Sequence, residues 1–345
     1  MKGKKYLMKM LLDVVLLLVG FVLLIKGADY FVEGSAAIAK RFNIPGVVIG
    51  LTIVAMGTSA PELAVSVSAG LSGSNALAIS NVIGSNLFNL IVVLGVCAIL
   101  SPVAVEKGIL KRDFPFSLLA TVLVGIFIAD QAIRGFVNGM QGGATEYGVV
   151  FTGDHMPAAG ILQRWEALIL LAVFVVYMYI TVHSALKNRE AGDDIEALPV
   201  WKSIMFIVLG AAAIVGGGQL VVNSAKSIAL TCGMSETLVG LTIVAIGTSL
   251  PELVTSIVAS KKGQNGMAVG NVVGSNIFNL LMILGISCTL HPIVVGFESL
   301  IDISILFVVS IVILLFCKSK GKITRSEGVF MVLLYVAYTA YAILR

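Results

Sequence analysis

Two glutamates stand where an ionisable side chain is costly. Glu62, in GTSAPE, and Glu252, in GTSLPE, each follow a proline inside an otherwise apolar run. A carboxylate at the centre of a bilayer costs about 2.5–3.5 kcal/mol on insertion scales, so such residues persist where they line a cavity or hold a cation. No Lys or Arg lies within a helical turn of either glutamate. Lys26 and Lys226 could reach them from other helices, and that pairing is the structural alternative to a cation site.

The residues around each glutamate add oxygen donors. Pro61 and Pro251 have no N–H for the carbonyl four residues back, and their rings crowd that turn. Those residues are Gly57 and Gly247, so each helix should bend there and free carbonyls near Ala55–Thr58 and Ala245–Thr248. At membrane depth a freed carbonyl needs a partner, and a bound cation supplies one. The negative end of a half-helix favours a cation as well. In the next run Asn81, Ser85 and Asn89 recur every four residues and share one face, as do Asn271, Ser275 and Asn279. Gly84 and Gly274 between them allow close helix approach. Polar glue between packed helices is the plainer alternative for any single Ser or Asn. Taken together every donor is a hard oxygen, a set that suits calcium and alkali ions and disfavours zinc or copper. With two carboxylates, an empty site in a low-dielectric setting is unfavourable to reorient. One calcium, two monovalent ions or two protons would neutralise it, which is the physical basis of obligatory exchange.

The elements that position these groups are membrane helices. Hydrophobic residues make up 58% of the 345 residues and charged residues 12%, about half the charge of a soluble protein. Mean hydropathy is +1.03. That composition marks an integral membrane protein and excludes a large aqueous domain. The net charge of +4 indicates no nucleic-acid-binding face. Cys97, Cys232, Cys288 and Cys317 sit singly in apolar runs and read as packing residues, and His155, His183 and His291 are too scattered for a metal site. No cofactor and no obligatory protein partner is indicated; the bilayer is the implied environment. Ten apolar runs predict an all-α polytopic fold, over 11–39, 47–71, 77–100, 112–130, 165–186, 203–231, 237–260, 268–290, 299–317 and 328–344. Met1–Ile25, four lysines followed by an apolar stretch, resembles a signal peptide, but the repeat described next favours a first transmembrane helix.

Residues 50–95 align without a gap to 240–285, with about 27 of 46 positions identical at a constant offset of 190. The register extends back to Gly20 and Gly210 and forward to Pro102 and Pro292. Five spans separate the copies, and an odd number inverts the second relative to the first, the architecture of secondary transporters with a midplane site. The expected organisation is an N-terminal five-helix repeat over 1–187, a short cytoplasmic linker over 188–202 and a C-terminal five-helix repeat over 203–345. Gln131–Arg164 is the longest connection, Gly-rich and polar. Ten spans put both termini on one side, with Lys2, Lys4, Lys5, Lys9, Arg134, Arg164 and Arg345. The opposite side carries about twice as many basic residues, which by the positive-inside rule places both termini outside. The lysine-rich N-terminus argues the other way.

At the paired GTS-x-PE and GSN-x-FN motifs the chain resembles the calcium/cation antiporter superfamily, and within it the prokaryotic sodium/calcium exchangers, over essentially its whole length. The resemblance implies a ten-helix inverted-repeat fold in a prokaryotic cell membrane, with cation positions at its centre and calcium and sodium as transported ions. It implies that Glu62 and Glu252 bridge calcium with the main-chain carbonyls of Thr58 and Thr248. Sodium ligation would involve Ala55, Ala245, the Thr hydroxyls, Ser59, Ser249, Ser85 and Ser275, with Asn89 and Asn279 as the central polar pair. Some relatives, including potassium-dependent ones, have Asp where this chain has Asn279, so the central charge is lower here. The runner-up is calcium/proton exchange, whose members tend to carry acidic or histidine residues in the second motif; GSNLFN and GSNIFN have neither. An intramembrane hydrolase would use the glutamates as an acid/base pair, but near-identical copies suit ion ligation better than the unequal pKa values an acid and a base need. A channel differs physically only by lacking the inverted-repeat precedent. Asp29 and Glu33, one turn apart in the first run and matched by Gln219 and Asn223 in the sixth, read as structural or vestibule groups, with Lys26 placed to pair with Asp29.

Overall fold

A computed structural model describes residues 2–71, 75–130, 158–187, 198–232 and 245–344. The described residues are helical almost throughout. Helix α1, Lys2–Phe42, runs unbroken past Ile25 and stops before Pro45, with Asn43 in the left-handed region at φ 51°. Then follow α2 (Gly46–Thr58) and α3 (Ala60–Leu71), bent 49° from each other, and α4 (Leu77–Leu100). Helix α5 (Phe114–Ile128) has a proline in its first turn. Next come α6 (Arg164–Lys187) and α7 (Val200–Thr231). The second half continues with α8 (Ala245–Thr248), α9 (Leu250–Lys261) and α10 (Asn265–Leu290). It ends with α11 (Phe297–Lys320), stopped by Gly321 at φ 64°, and α12 (Arg325–Leu344). Among the described residues there are also four short strands: β1 (Val103–Ala104), β2 (Ala158–Leu162), β3 (Ile293–Gly296) and β4 (Lys322–Ile323).

Seven of these helices are long and apolar enough to cross a membrane, and eight if the bent α2–α3 pair is one span. The expected run at 112–130 is helical from the π-type turn Ile109–Asp113 on through Phe114–Ile128; with Lys111, Arg112 and Asp113 at its start it is not one of those seven. The expected run at 237–260 is described from 245 onward, and most of the Gln131–Arg164 connection and of the 188–202 linker lies outside the described residues. Helices α4 and α10 are almost wholly enclosed, while α1, α6, α7, α11 and α12 turn Leu, Ile, Val and Phe outward. An apolar exterior around a polar-containing centre is what lipid selects, and the chain is a multi-pass membrane protein.

The two halves are interlocked rather than merely adjacent. Strand β1 pairs antiparallel with β4, and β3 with β2, so each half receives a strand from the other. Helix α12 packs on the last turns of α4, and α6 on the last turns of α10. At equivalent ends, Arg164 donates to the Leu290 carbonyl at 3.3 Å and Arg325 to the Leu100 carbonyl at 3.4 Å. Both helices open on the same device. Glu166 accepts from the Gln163 N–H at 2.7 Å, and Glu327 from the Thr324 N–H at 2.7 Å, each satisfying an amide the helix start leaves free.

The long helices α1 and α7 lie antiparallel with small residues every seventh position: Gly20, Gly27 and Gly34 against Gly217, Gly210 and Ser203. Their backbones are so close that a Cβ on Gly210 would fall 2.8 Å from the Gly27 carbonyl. Van der Waals contact of this kind holds helices together where there is no hydrophobic drive between them. Lys26 and Asp29 are 3.9 Å apart, but the nearer cation is Lys262, 3.3 Å from Asp29 and 3.8 Å from Glu33, which ties α1 to the end of α9. These exposed pairs fit the structural reading of Asp29 and Glu33. Gln219 donates to Asn223 at 3.2 Å. Cys97, Cys288 and Cys317 are buried as expected, and the Cys288 thiol donates to the Leu162 carbonyl. Cys232 corrects that expectation: it is exposed at the end of α7, where the helix has left the packed layer.

The α1–α7 contact predicts opposite outcomes for two alanines in one helix. Gly210→Ala should lower the thermal midpoint in detergent, by about 1–3 kcal/mol of overpacking. Gly216→Ala, whose Cβ meets nothing within 4 Å, should leave it unchanged or raise it through helix propensity. Equal midpoints for the two variants would remove the case for this contact.

Candidate functional site

The bend at each proline is the feature from which the site is built. Pro61 leaves the Gly57 carbonyl without its helical donor, and Ser59 sits off helical geometry at φ −81°, ψ 10°. Ser249 does the same in the second copy at φ −93°, ψ 6°. Both breaks are one residue long, because the Ser59 and Ser249 carbonyls already accept the next helical bonds from Leu63 at 3.1 Å and Leu253 at 3.2 Å. Glycine at the bend has a second reason besides the one legible in sequence. A Cβ on Gly57 would fall 2.7 Å from the Phe31 ring of α1, and one on Gly247 would meet Val222 of α7, so the outer helix pair closes directly on both bends. Wide π-type turns occupy Gly50–Val54 in α2, Asn89–Val93 in α4 and Phe278–Ile283 in α10. The last two include Asn89 and Asn279 and change the helical register at those residues. Such turns recur at functional sites, and periodicity in the sequence did not reveal them.

Glu62 and Glu252 are both fully buried. Each is held by one serine from its own copy and one from the other. Glu62 Oε1 accepts from Ser249 at 3.0 Å and from Ser85 at 3.5 Å. Glu252 Oε1 accepts from Ser59 at 2.7 Å and from Ser275 at 3.5 Å. Among the described residues no Lys or Arg pairs with either carboxylate, so the Lys26/Lys226 alternative does not hold. Glu62 Oε2 and Glu252 Oε2 are buried without a protein partner, as are Asn279 Oδ1 and both side-chain polar atoms of Asn89. A buried carboxylate oxygen without a donor is strongly disfavoured unless a cation or proton answers it.

The remaining expected residues gather around this pair. The Ala55 carbonyl accepts from Ser59 N–H at 3.0 Å, from the Thr58 hydroxyl at 3.3 Å and from the Ser275 hydroxyl at 3.5 Å, which brings it to the centre. Thr248 is buried on the turn before Ser249. Ala245 opens α8, and its side chain lies outside the described residues. Asn81 and Asn271 are braces. Asn81 donates to the Glu62 carbonyl at 3.2 Å and to Ser66 at 2.8 Å; Asn271 donates to the Glu252 carbonyl at 3.5 Å and to Ser256 at 2.9 Å. Asn271 also accepts from the Thr58 hydroxyl at 3.1 Å, across the two halves. Gly274 gives the close approach expected of it, since a Cβ there would fall 2.7 Å from Leu51 of α2; Gly84 has no such neighbour among the described residues.

Sequence reasoning passed over Asn86 and Asn276, the asparagines within GSN itself. Asn86 donates to the Asn276 carbonyl at 3.1 Å and Asn276 to the Asn86 carbonyl at 3.2 Å, a reciprocal clamp between α4 and α10. Their shared offset of 190 was the available signal.

Among the described residues the acceptors gathered at the centre are hard oxygens, with no imidazole or thiolate beside them, which fits calcium or sodium as cargo. An oxygen-rich cluster assembled by both halves of a multi-pass helical protein defines a membrane cation transporter. The sequence pattern of the sodium/calcium exchanger protein family matches residues 12–183 and 202–344. The chain belongs to the sodium/calcium exchanger family. It is 34% identical over 342 residues to the sodium/calcium exchanger MaX1 of Methanosarcina acetivorans, covering 94% of this chain and 96% of that one. It is 32% identical to the inner membrane protein YrbG of Escherichia coli, covering 93% and 94%. A solved structure of the sodium-calcium exchanger NCX_Mj superimposes with TM-score 0.79 at 32% identity, over 97% of this chain and 100% of that chain.

The two braces are not equivalent, and stability should report it. Asn271→Leu removes the bonds to Thr58, Ser256 and the Glu252 carbonyl in a fully buried place, leaving the Thr58 hydroxyl only the Ala55 carbonyl at 3.3 Å and Ser256 only the Ala268 carbonyl at 3.5 Å, whereas Asn81 is only partly buried. Each unsatisfied buried group costs about 1–3 kcal/mol. Asn271→Leu should therefore lower the thermal midpoint more than Asn81→Leu; the reverse order would contradict this geometry.

Proposed function

We propose that the protein expels calcium from the cytoplasm in exchange for sodium, by alternating access at one site near the midplane, and that it is a transporter and not an enzyme. The observation that carries this reading is the pair of fully buried glutamates whose Oε2 atoms have neither a hydrogen-bond donor nor a basic side chain. Calcium is the cargo that bridges Glu62 and Glu252, with the Thr58 and Thr248 carbonyls completing its shell. Sodium ions replace it using Ala55, Ala245, Ser59, Ser249, Ser85, Ser275 and the two Thr hydroxyls, with Asn89 and Asn279 between the carboxylates. Ser59 and Ser249, which donate across the halves, keep each carboxylate in register with the other copy. Either load cancels the two negative charges, so the loaded site can change sides and the empty one is held back.

The fold that goes with this mechanism has ten crossings in two inverted five-helix repeats, 1–187 and 203–345. The linker at 188–202 is cytoplasmic and both termini lie outside. The 190-residue register of the site's hydrogen bonds supports the pairing of the copies, and the excess of Lys and Arg on the linker side supports the orientation. The second motif keeps Ser and Asn at every polar position, so it offers sodium ligands and no further proton acceptor.

Glu62→Gln and Glu252→Gln should each abolish calcium exchange in proteoliposomes while the protein inserts and purifies normally. Exchange near the unmodified rate in either variant would remove that residue from the ligand set.

The neutral Asn279 makes a second outcome specific. An imposed sodium gradient should drive calcium against its own gradient, equally in potassium-free and potassium-containing buffer at clamped voltage, and a pH gradient in sodium-free medium should drive little. A strict potassium requirement would overturn the reading of Asn279, and robust pH-driven flux would reassign the coupling ion to the proton.

A further inference from the structure

We propose that Asn86 is a positioning residue that fixes the side-chain amide of Asn279 so that its oxygen, and not its nitrogen, faces the cation; this rests on the ligand role proposed for Asn279. An asparagine is an ambiguous ligand. Its amide carries an acceptor and a double donor of nearly the same shape, and half a turn about one bond replaces an attractive oxygen with a repelling N–H. A buried site that uses Asn must therefore settle which end points inward.

Two bonds settle it here. The Asn276 backbone carbonyl can only accept, so the Asn86 atom 3.1 Å from it must be Nδ2. That leaves Asn86 Oδ1 as the free end, and an oxygen can only accept. The Asn279 atom 3.0 Å from it must then be Nδ2. Asn279 Oδ1 is left buried and without a protein partner, as are Glu62 Oε2 and Glu252 Oε2. A main-chain carbonyl of α10 thus dictates, through a side chain of α4, the polarity of a side chain back on α10.

The copies differ at this one step. Asn276 makes the mirror-image bond to the Asn86 carbonyl at 3.2 Å, but its Oδ1 has no partner, and neither polar atom of Asn89 has one. Both asparagines clamp the halves together; only Asn86 passes its orientation on. Asn276 is therefore the control for a purely structural role.

The test compares calcium KM for sodium-driven uptake in proteoliposomes of the unmodified protein, Asn86→Leu, Asn276→Leu, Asn279→Ala and the Asn86→Leu/Asn279→Ala pair. Loss of one oriented ligand contact should raise calcium KM about five- to tenfold in Asn86→Leu. In the Asn279→Ala background the same change should add less than about twofold, since a residue acting through another has nothing left to position. Asn276→Leu should lower the thermal midpoint about as much as Asn86→Leu with a smaller change in KM. The proposal is overturned if Asn86→Leu raises KM as much with Asn279 absent as with it present, or if Asn276→Leu raises KM equally. An unchanged KM in Asn279→Ala would instead remove the ligand role of Asn279, and with it this proposal. If Asn86→Leu does not insert, Asn86→Ser, smaller and still polar, takes its place in the same cycle with the same outcomes.

Discussion

The structure depends on two carboxylates that are buried together with no basic residue among the described ones to neutralise them. In most folds such a pair would be intolerable, because each charge loses its water and gains nothing in return. Here Glu62 and Glu252 are each given hydroxyl donors on one oxygen only, and the other oxygen of each is left to the site. Everything nearby follows from keeping that arrangement dry and stiff. The prolines open the helix at the turn before each glutamate, the serines in the break donate across to the opposite copy, and Asn81 and Asn271 tie the glutamate backbones to the neighbouring helix.

Stiffness at the centre comes from exchange between the halves. Ser59 belongs to one copy and serves the other's glutamate, and Ser249 returns the bond. Thr58 reaches Asn271, Asn86 reaches Asn276, and the short strands, α6 and α12 cross over at the rim. A site shared in this way ties the two halves together at the centre. Helices α1 and α7 stand outside that exchange: they touch the bends through Phe31 and Val222 but make most of their contact with each other, along a seam of glycines.

Much of the site was legible before any coordinates. Membrane-depth glutamates after proline, duplicated at a fixed offset, identify the carboxylates, the bends and the serines that accompany them, because each of those is a property of residue type and local spacing. The seven long apolar helices, and the bent α2–α3 pair, were legible for the same reason, since apolar length is a local quantity. Other features were not. The π-type turns at Asn89 and Asn279 are one such feature, and no periodicity in the chain announces them. Asn86 and Asn276 looked like ordinary members of a motif. Their partners are carbonyls 190 residues away, and a sequence does not record which carbonyls meet.

What the sequence by itself determined was the inventory: a membrane protein, duplicated, with two carboxylates and a ring of hard oxygens whose chemistry suits calcium and sodium. Those conclusions rest on transfer free energies, proline stereochemistry and donor type, all of which act within a few residues. What only the tertiary structure decided was pairing and direction. It placed the serine of one copy on the glutamate of the other and turned Lys262, rather than Lys26, closest to Asp29. It also set which oxygen of each carboxylate is spent on the protein and which is left over. Hydrogen bonds of about 3 Å between residues nearly two hundred positions apart are fixed by the packing of whole helices. Identical local sequences therefore gave equivalent carboxylates, while at Asn89 and Asn279 they gave two different arrangements.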